Sequence, residues 1–498
     1  ETAYKRDFGT KHSLGVTLLQ SVQQDLRESL NASAEDISAD VLKYYDLGAG
    51  SIIDGIGSGY RKWTMASFMG RVNYNYLGRY LLTVSARYDG SSRLADGHKW
   101  VLFPSAALAW RISDEKFMKN IKWLDNLKLR VGYGKTGNSS VDPYQTRGTL
   151  SKVYYVYNNG KDEVLGYAPK KMANKLLTWE TTEQYNLGLD FGFLKNRING
   201  SIDLYLQKTY DLLLERQLPV VSGFSNIVSN IGRTQNKGIE ISLNTRNVVT
   251  KNFEWTTDLT FTAGREEIVE LYNGKVDDPG SGWFIGEPID VYYNYKKIGI
   301  WQDTPEDLAE MEKFNANGAN FKPGTIRLWD NGDYKITEED KLIIGTKRPK
   351  FVASMVNSFR YRDFDFSLFL YGSQGGMLKN DISIMEKPGR ANSVRLDYWT
   401  PNNPTNAYPR PSVDMERPDY ISTTYYENAS FLRVRNITLG YTLPKALTSK
   451  WSIDKLRFYV TANNPLIFTN FSGIDPEGAT GNTSPSYSSW MFGLNLSL

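Results

Sequence analysis

The chain has 498 residues, 40% hydrophobic and 13% aromatic, with 59 basic and 55 acidic side chains for a net charge of +4. Near-balanced charge without a Lys/Arg run speaks against a nucleic-acid partner, and the absence of cysteine excludes disulfide frameworks, thiolate metal sites and cysteine nucleophiles. Mean hydropathy is −0.45 and no apolar run reaches the roughly 18 residues of a membrane helix, whereas a membrane-spanning β-barrel stays open because only alternate strand residues meet lipid.

In chain order, His12 opens a strand, and the glycines at Gly48, Gly50, Gly55, Gly57 and Gly59 neither follow a strand nor open a helix, so they make no phosphate-binding loop. The first clear hairpin runs from Arg71 to Tyr88. Val72, Tyr74 and Tyr76 alternate with Arg71, Asn73 and Asn75, a turn follows at Leu77-Gly78-Arg79, and Leu82, Val84, Ala86 and Tyr88 alternate with Thr83, Ser85 and Arg87. The same period recurs in Tyr185, Leu187, Leu189, Phe191 and Phe193, turning at 194–197 into Ile198, Ile202, Leu204 and Leu206. Ile239, Ile241 and Leu243 are expected to pair with Phe253, Trp255, Leu259 and Phe261. Met355, Phe359 and Tyr361 pair through Arg362-Asp363 with Phe366, Leu368 and Leu370. One strand changes phase between Leu432/Val434 and Ile437/Leu439/Tyr441, which a bulge near Arg435-Asn436 reconciles. Leu456, Phe458, Val460 and Ala462 begin another strand, and Trp490 to Leu498 alternate to the last residue.

This reading gives about 14 strands of an antiparallel up-and-down sheet. Short links at 77–80, 194–197, 246–252 and 362–363, with longer ones at 112–126 and 444–455, alternate strictly with long loops at 89–101, 134–180, 208–237, 264–350, 374–430 and 465–488. A sandwich mixes crossovers between sheets and shows no such alternation, whereas outer-membrane barrels put short turns in the periplasm and long loops outside the cell. The polar faces carry Arg71, Arg87, Arg130, Asp190, Asp203, Glu240 and Asp258. In a wide barrel these line a wet lumen. The 32 tyrosines, 22 phenylalanines and 12 tryptophans suit membrane interfaces, although a Tyr-rich soluble β protein has the same composition.

Several stretches, taken in order, resemble the SusC/RagA-like TonB-dependent outer-membrane transporters of Bacteroidota. They are Gly70 to Tyr76 with Arg79 to Thr83, Arg87 to Arg93 leading to Phe103 to Ala106 and Ala109 to Arg111, Leu129 to Asn138, Tyr398 to Pro404, Ile437 to Pro444, and Asp475-Pro476-Glu477. Leu498 departs from the terminal aromatic usual in outer-membrane proteins. The resemblance implies that residues 1–498 are the C-terminal part of a barrel of about 22 strands. The plug domain, the TonB box and roughly the first eight strands are expected to lie outside them. It also implies integral residence in the bacterial outer membrane, a SusD-like surface lipoprotein as cap, energy from TonB-ExbB-ExbD, and active import of an oligosaccharide or peptide.

Two groups of loop residues are candidate sites. Tyr154, Tyr155, Trp283, Tyr292, Tyr293 and Trp301, with Tyr157 and Trp329, can stack on sugar rings or peptide side chains; loop packing is the bland alternative. Asp330, Asn331, Asp333, Lys335 through its carbonyl, and Asp340 resemble a calcium-binding loop of closely spaced oxygen ligands. Tyr334 stands where the turn glycine belongs, and the alternative is a plain loop of Asx turns. Enzyme signals are poor. The two histidines, His12 and His98, suggest no Ser-His-Asp arrangement, and Glu338-Glu339 read as loop charges. The chain is thus expected to be a transporter barrel and no enzyme. The alternatives are a structural or adhesive outer-membrane barrel and a soluble glycan-binding β protein.

Overall fold

The computed structural model describes residues 1–37, 39, 41, 43–160, 162–380, 396–411, 419–478 and 486–498. Fifteen strands among them form one antiparallel sheet: β1 Thr2–Phe8, β2 His12–Ile37, β3 Gly50–Tyr76, β4 Tyr80–Ser91, β5 Trp100–Arg111, β6 Leu124–Asn138, β7 Glu180–Phe193, β8 Ile198–Tyr210, β9 Arg233–Val249, β10 Phe253–Glu270, β11 Phe351–Tyr361, β12 Phe364–Gln374, β13 Phe431–Thr442, β14 Lys455–Thr469 and β15 Ser489–Ser497. Each pairs with its neighbours in sequence, and β1 and β15 are the two free edges. The count exceeds the expected one at the N-terminal end. There β2 and β3 pair along 26 and 27 residues in which polar and glycine-rich stretches blur the alternation. Gly50, Gly55, Gly57 and Gly59 lie inside β3, and no helix opens directly after them among the described residues.

Short links (9–11, 77–79, 112–123, 194–197, 250–252, 362–363, 443–454) gather at one end of the sheet and the long loops at the other. The link expected at 246–252 is shorter because β9 runs on to Val249 through a bulge between Arg246 and Val248. The expected bulge of β13 falls on Arg435, which has no partner between Val434 and Asn436.

The two faces differ as the alternation requires. Val131, Leu187, Leu204, Ile239 and Ala263 stand in one row across β6 to β10. Leu187 and Leu204 are each 46% exposed and Val131 is 50% exposed; no second layer covers this face among the described residues. Aromatics bound the apolar band. On β4, Leu82, Val84 and Ala86 lie between Tyr80 and Tyr88. Tyr80 stacks with Trp110 at 6.4 Å near the short links, and Tyr88 stacks with Trp100 at 5.0 Å near the long loops. The eight residue steps from Tyr80 to Tyr88 span about 26 Å along the strand, close to the ~25 Å outward band of a barrel in a bilayer. Both rings of each pair then sit at a water–lipid boundary.

Buried apolar clusters lie on the long-loop side. Leu94, Leu177 and Trp179 pack on Phe103 at the upper end of β5. The loops 271–350 and 375–430 share a core of Ile300, Ile326, Leu328, Trp399, Ile421 and Tyr425. The first of these loops also contains α1, Pro305–Ala316. Thr304 caps it by accepting from the Asp307 amide, Pro305 sits where no intrahelical donor is needed, and Met311 and Phe314 face inward.

Candidate functional site: the lumen wall and its loop roof

The polar face carries layers of charge that bridge strands. Arg130 on β6, Gly188 on β7 and Asp203 on β8 stand in one row. Arg130 donates to Asp203 Oδ2 at 2.9 Å and to Asp190 Oδ1 at 2.7 and 3.0 Å, and Lys128 Nζ lies 3.2 Å from Asp190. Gly188 makes the crossing possible: a Cβ there would fall 2.5 Å from Asp203 Oδ1 and 2.6 Å from Arg130 Cζ. The device recurs at Gly440 on β13, over which Arg457 donates to both oxygens of Asp365 at 2.9 and 2.6 Å. Arg87 donates to Asp89 and to Ser67. Such groups would be costly in an apolar core, but their partial exposure to water makes the arrangement affordable.

The bulge at Arg435 has a purpose in this wall. It puts Arg433 and Arg435 next to the loop after β14, where Asp475-Pro476-Glu477 receives them. Arg433 donates to Asp475 Oδ1 at 2.7 Å, its Nε lies 2.8 Å from Glu477 Oε2, and Arg435 also bonds Glu477. The Arg433 and Asp475 side chains are each 5% exposed. Burial acts to raise the Asp475 carboxyl, but the Glu477 and Ser486 amides, with Arg433, hold it below the usual carboxylate range. The last long loop is thereby clamped to the wall.

The expected aromatic cluster is scattered. Tyr154, Tyr155 and Tyr157 project from a hairpin of residues 149–157 and 162–171 and are exposed. Tyr292 packs against Tyr426 at 4.8 Å and Tyr293 against Phe284 at 4.7 Å, while Trp283 is half-buried in the turn begun by Asp278. Trp301 corrects the expectation. It is 1% exposed, packed among Met311, Phe314 and Phe321 with Arg327 over its ring, so it is a core residue of the loop with no face left for a ligand. Trp329 is half-buried. His12 belongs to the aromatic boundary at the short links, 2.7 Å from the Tyr74 hydroxyl. His98 lies in the loop 92–99.

In the acidic loop, the side-chain oxygens turn onto the loop's own amides. Asp330 Oδ2 accepts from Gly332 and Tyr334, Asn331 from Asp333, and Asp333 from Lys335. Asp340, fully buried, accepts from Asn331 and Thr337. Tyr334 holds φ +59° and Gly332 φ +107°. These contacts are Asx turns, and among the described residues no three acidic or histidine side chains converge as a metal site.

Missed by sequence reading were Gly188, Gly440, and the Arg433/Arg435 clamp on Asp475 and Glu477. The phase change at Arg435 was the available signal for the clamp.

A family model described as TonB dependent receptor-like, beta-barrel, matches residues 2–465. TonB-dependent receptor P3 of Formosa agariphila is 34% identical over 99% of this chain and 50% of its own length. TonB-dependent receptor SusC of Bacteroides thetaiotaomicron is 34% identical over 87% of this chain and 44% of its own. The solved structure of the RagAB peptide transporter aligns with a TM-score of 0.83 at 25% identity, covering 99% of this chain and 54% of that one. The chain spans about half the length of the relatives it matches.

Proposed function

Because this chain belongs to the TonB-dependent receptor β-barrel family, as an integral outer-membrane protein of SusC/RagA type, we propose that it forms the C-terminal wall and outer vestibule of an active nutrient importer. The substrate class is an oligosaccharide or a peptide, and the RagAB neighbour, a peptide importer by its title, supports the second. A SusD-like surface lipoprotein caps the vestibule, and a plug drawn by TonB-ExbB-ExbD opens the path, both supplied from outside these residues. One observation carries the reading. The same strands expose a continuous apolar row such as Val131–Leu187–Leu204 on one face and an ion-paired, water-accessible layer around Arg130 on the other. That pairing suits a conduit whose outside is lipid and whose inside is water.

The wall's residues serve as a rigid scaffold in this reading. The Arg130 and Arg457 layers tie three strands each, and the Asp475 clamp fixes a loop at the mouth. Tyr154, Tyr155, Trp283, Tyr292 and Tyr293 are the proposed contacts for substrate or cap. The acidic loop of Asp330 to Asp340 serves to shape the roof.

The test is uptake by cells lacking the receptor gene and complemented with it, using labelled oligopeptides and oligosaccharides side by side. Receptor-dependent, energy-dependent uptake of one class supports the proposal. Equal uptake with and without the gene for both classes overturns it, and leaves the structural or adhesive barrel. Complementation with Tyr154→Ala/Tyr155→Ala then tests the hairpin: uptake at wild-type level removes those two residues from the site.

A further inference from the structure

The short-link end of the sheet has a chemistry that transport does not use. The seven links 9–11, 77–79, 112–123, 194–197, 250–252, 362–363 and 443–454 carry eleven Lys/Arg, among them Lys116, Lys119, Lys122 and Lys450, against the four carboxylates Asp114, Glu115, Asp363 and Asp454. They net +7, while the whole chain nets +4, so everything else together nets −3. Two of the carboxylates are already engaged: Glu115 by Arg79, Tyr80 and Trp110, and Asp454 by Lys445.

The same links expose large apolar side chains between these cations. Phe117 is 65% exposed, Trp123 57%, Leu447 46% and Trp451 60%. Phe117, Leu447 and Trp451 sit on short helical turns, at 112–118 and 445–451, and Trp123 ends the first of these two longest links. Two tight turns add an independent sign. Leu77 and Leu194 hold φ of +56° and +55°, the left-handed conformation that glycine or asparagine adopts at less cost, and both are exposed. A leucine at such a tip is strained in the fold and unrewarded in water. It is rewarded if an apolar phase covers it. Trp123 leans on Phe193, at 5.5 Å, and Phe193 belongs to the lipid-facing row of β7, so the exposed set continues the membrane face downward.

We infer that this end is a collar that binds acidic phospholipids of the periplasmic leaflet. Phe117, Trp123, Leu447, Trp451, Leu77 and Leu194 enter the boundary between headgroups and acyl chains, and the lysines around them hold headgroup phosphates. Aromatic rings belong at that depth, and clustered cations near a bilayer surface attract anionic lipid. The collar sets the barrel's vertical position, which a scaffold worked by a pulling partner needs. An acidic protein surface is the competing occupant; it would account for the cations but not for leucines at turn tips.

The experiment is lipid retention by the purified receptor, read by native mass spectrometry after exchange into mixed micelles. These contain a zwitterionic phospholipid and phosphatidylglycerol in equal amounts. Wild type is expected to keep the acidic lipid preferentially. The Lys116→Gln/Lys119→Gln/Lys122→Gln variant is expected to lose about tenfold of that preference, and the corresponding Lys→Arg variant to keep it. Equal retention of both lipids by wild type, or unchanged preference in the Gln variant, overturns the inference. A second measurement does not depend on that variant folding. The chain has no cysteine, so nitroxides at Phe117→Cys and Trp451→Cys report depth directly in nanodiscs. Oxygen-accessible labels support insertion. Labels relaxed only by a water-soluble nickel complex overturn it and leave the protein-facing alternative.

Discussion

Arg130 and Asp203 meet across Gly188, a residue on the strand between them that gives up its side chain so that the guanidinium can pass. The lumen wall is therefore knit by interactions that skip a strand. Backbone ladders hold neighbours; the Arg130 and Arg457 layers hold next-nearest neighbours. That stiffens a wide sheet whose polar face has no packed core behind it among the described residues.

Gly188→Val is expected to break the crossing. The added Cβ meets Asp203 and Arg130 inside contact distance, so the ion pair must move, at a cost of about 1–3 kcal/mol. The thermal midpoint of the detergent-solubilised receptor should fall, whereas Gly132→Val, where a Cβ meets its nearest neighbour Asn186 at 3.9 Å, should change it less. Equal falls would mean that the crossing is incidental.

Asp475→Asn should release the last long loop. Arg433 would keep its charge in a site where it is 5% exposed, and breaking one partner of such a pair costs about 3–5 kcal/mol. Limited proteolysis between Phe471 and Gly478 is the readout, with wild type resistant and the variant nicked. The pH dependence has a definite sign. The carboxyl is held below its ordinary value of 3.8, so its stabilisation is complete above that value and is lost as pH falls through the lower, folded-state value. Wild-type resistance should therefore persist from about pH 7 down to about pH 5.

Lys297 behaves in the opposite direction. Its ammonium bonds the Ala407 carbonyl between the two great loops, with no carboxylate partner among the described residues, and burial pushes its pKa below 10.5. Between that depressed value and 10.5 the unfolded chain binds the proton and the folded one does not, so stability from this group rises with pH. Lys297→Met should leave the midpoint at neutral pH unchanged or raised. Any advantage of the variant should shrink as pH approaches 10.5. A gap that widens with pH would show that the charge, and not its burial, dominates.

Much of the sheet was legible in the sequence because a strand with lipid on one side and water on the other must alternate. Tyr185 to Phe193 and Met355 to Tyr361 could hardly do anything else. The bulge at Arg435 was legible for the same reason, since a change of phase has few causes. The first strands were not, because the far halves of β2 and β3 meet neither lipid nor a core and need no pattern. The loop roof was illegible in a different way. Alternation says nothing about which loop aromatics pack together, so Trp301, a core residue, looked like its exposed neighbours. The start of α1 could have been found from Thr304-Pro305-Glu306-Asp307, a cap followed by proline and acidic residues. Gly188 and Gly440 gain meaning only when the register places them beneath an arginine.

The most direct test of the central claim is a nitroxide scan along β8 in lipid nanodiscs, from Ile202 to Gln207, one cysteine at a time. Accessibility to dissolved oxygen and to a water-soluble nickel complex is recorded at each position. The expected result is strict alternation, with oxygen dominant at Ile202, Leu204 and Leu206, and nickel dominant at Asp203, Tyr205 and Gln207. Nickel access at all six positions, or protection of the leucines from both reagents, would mean that the apolar face meets water or protein instead of acyl chains.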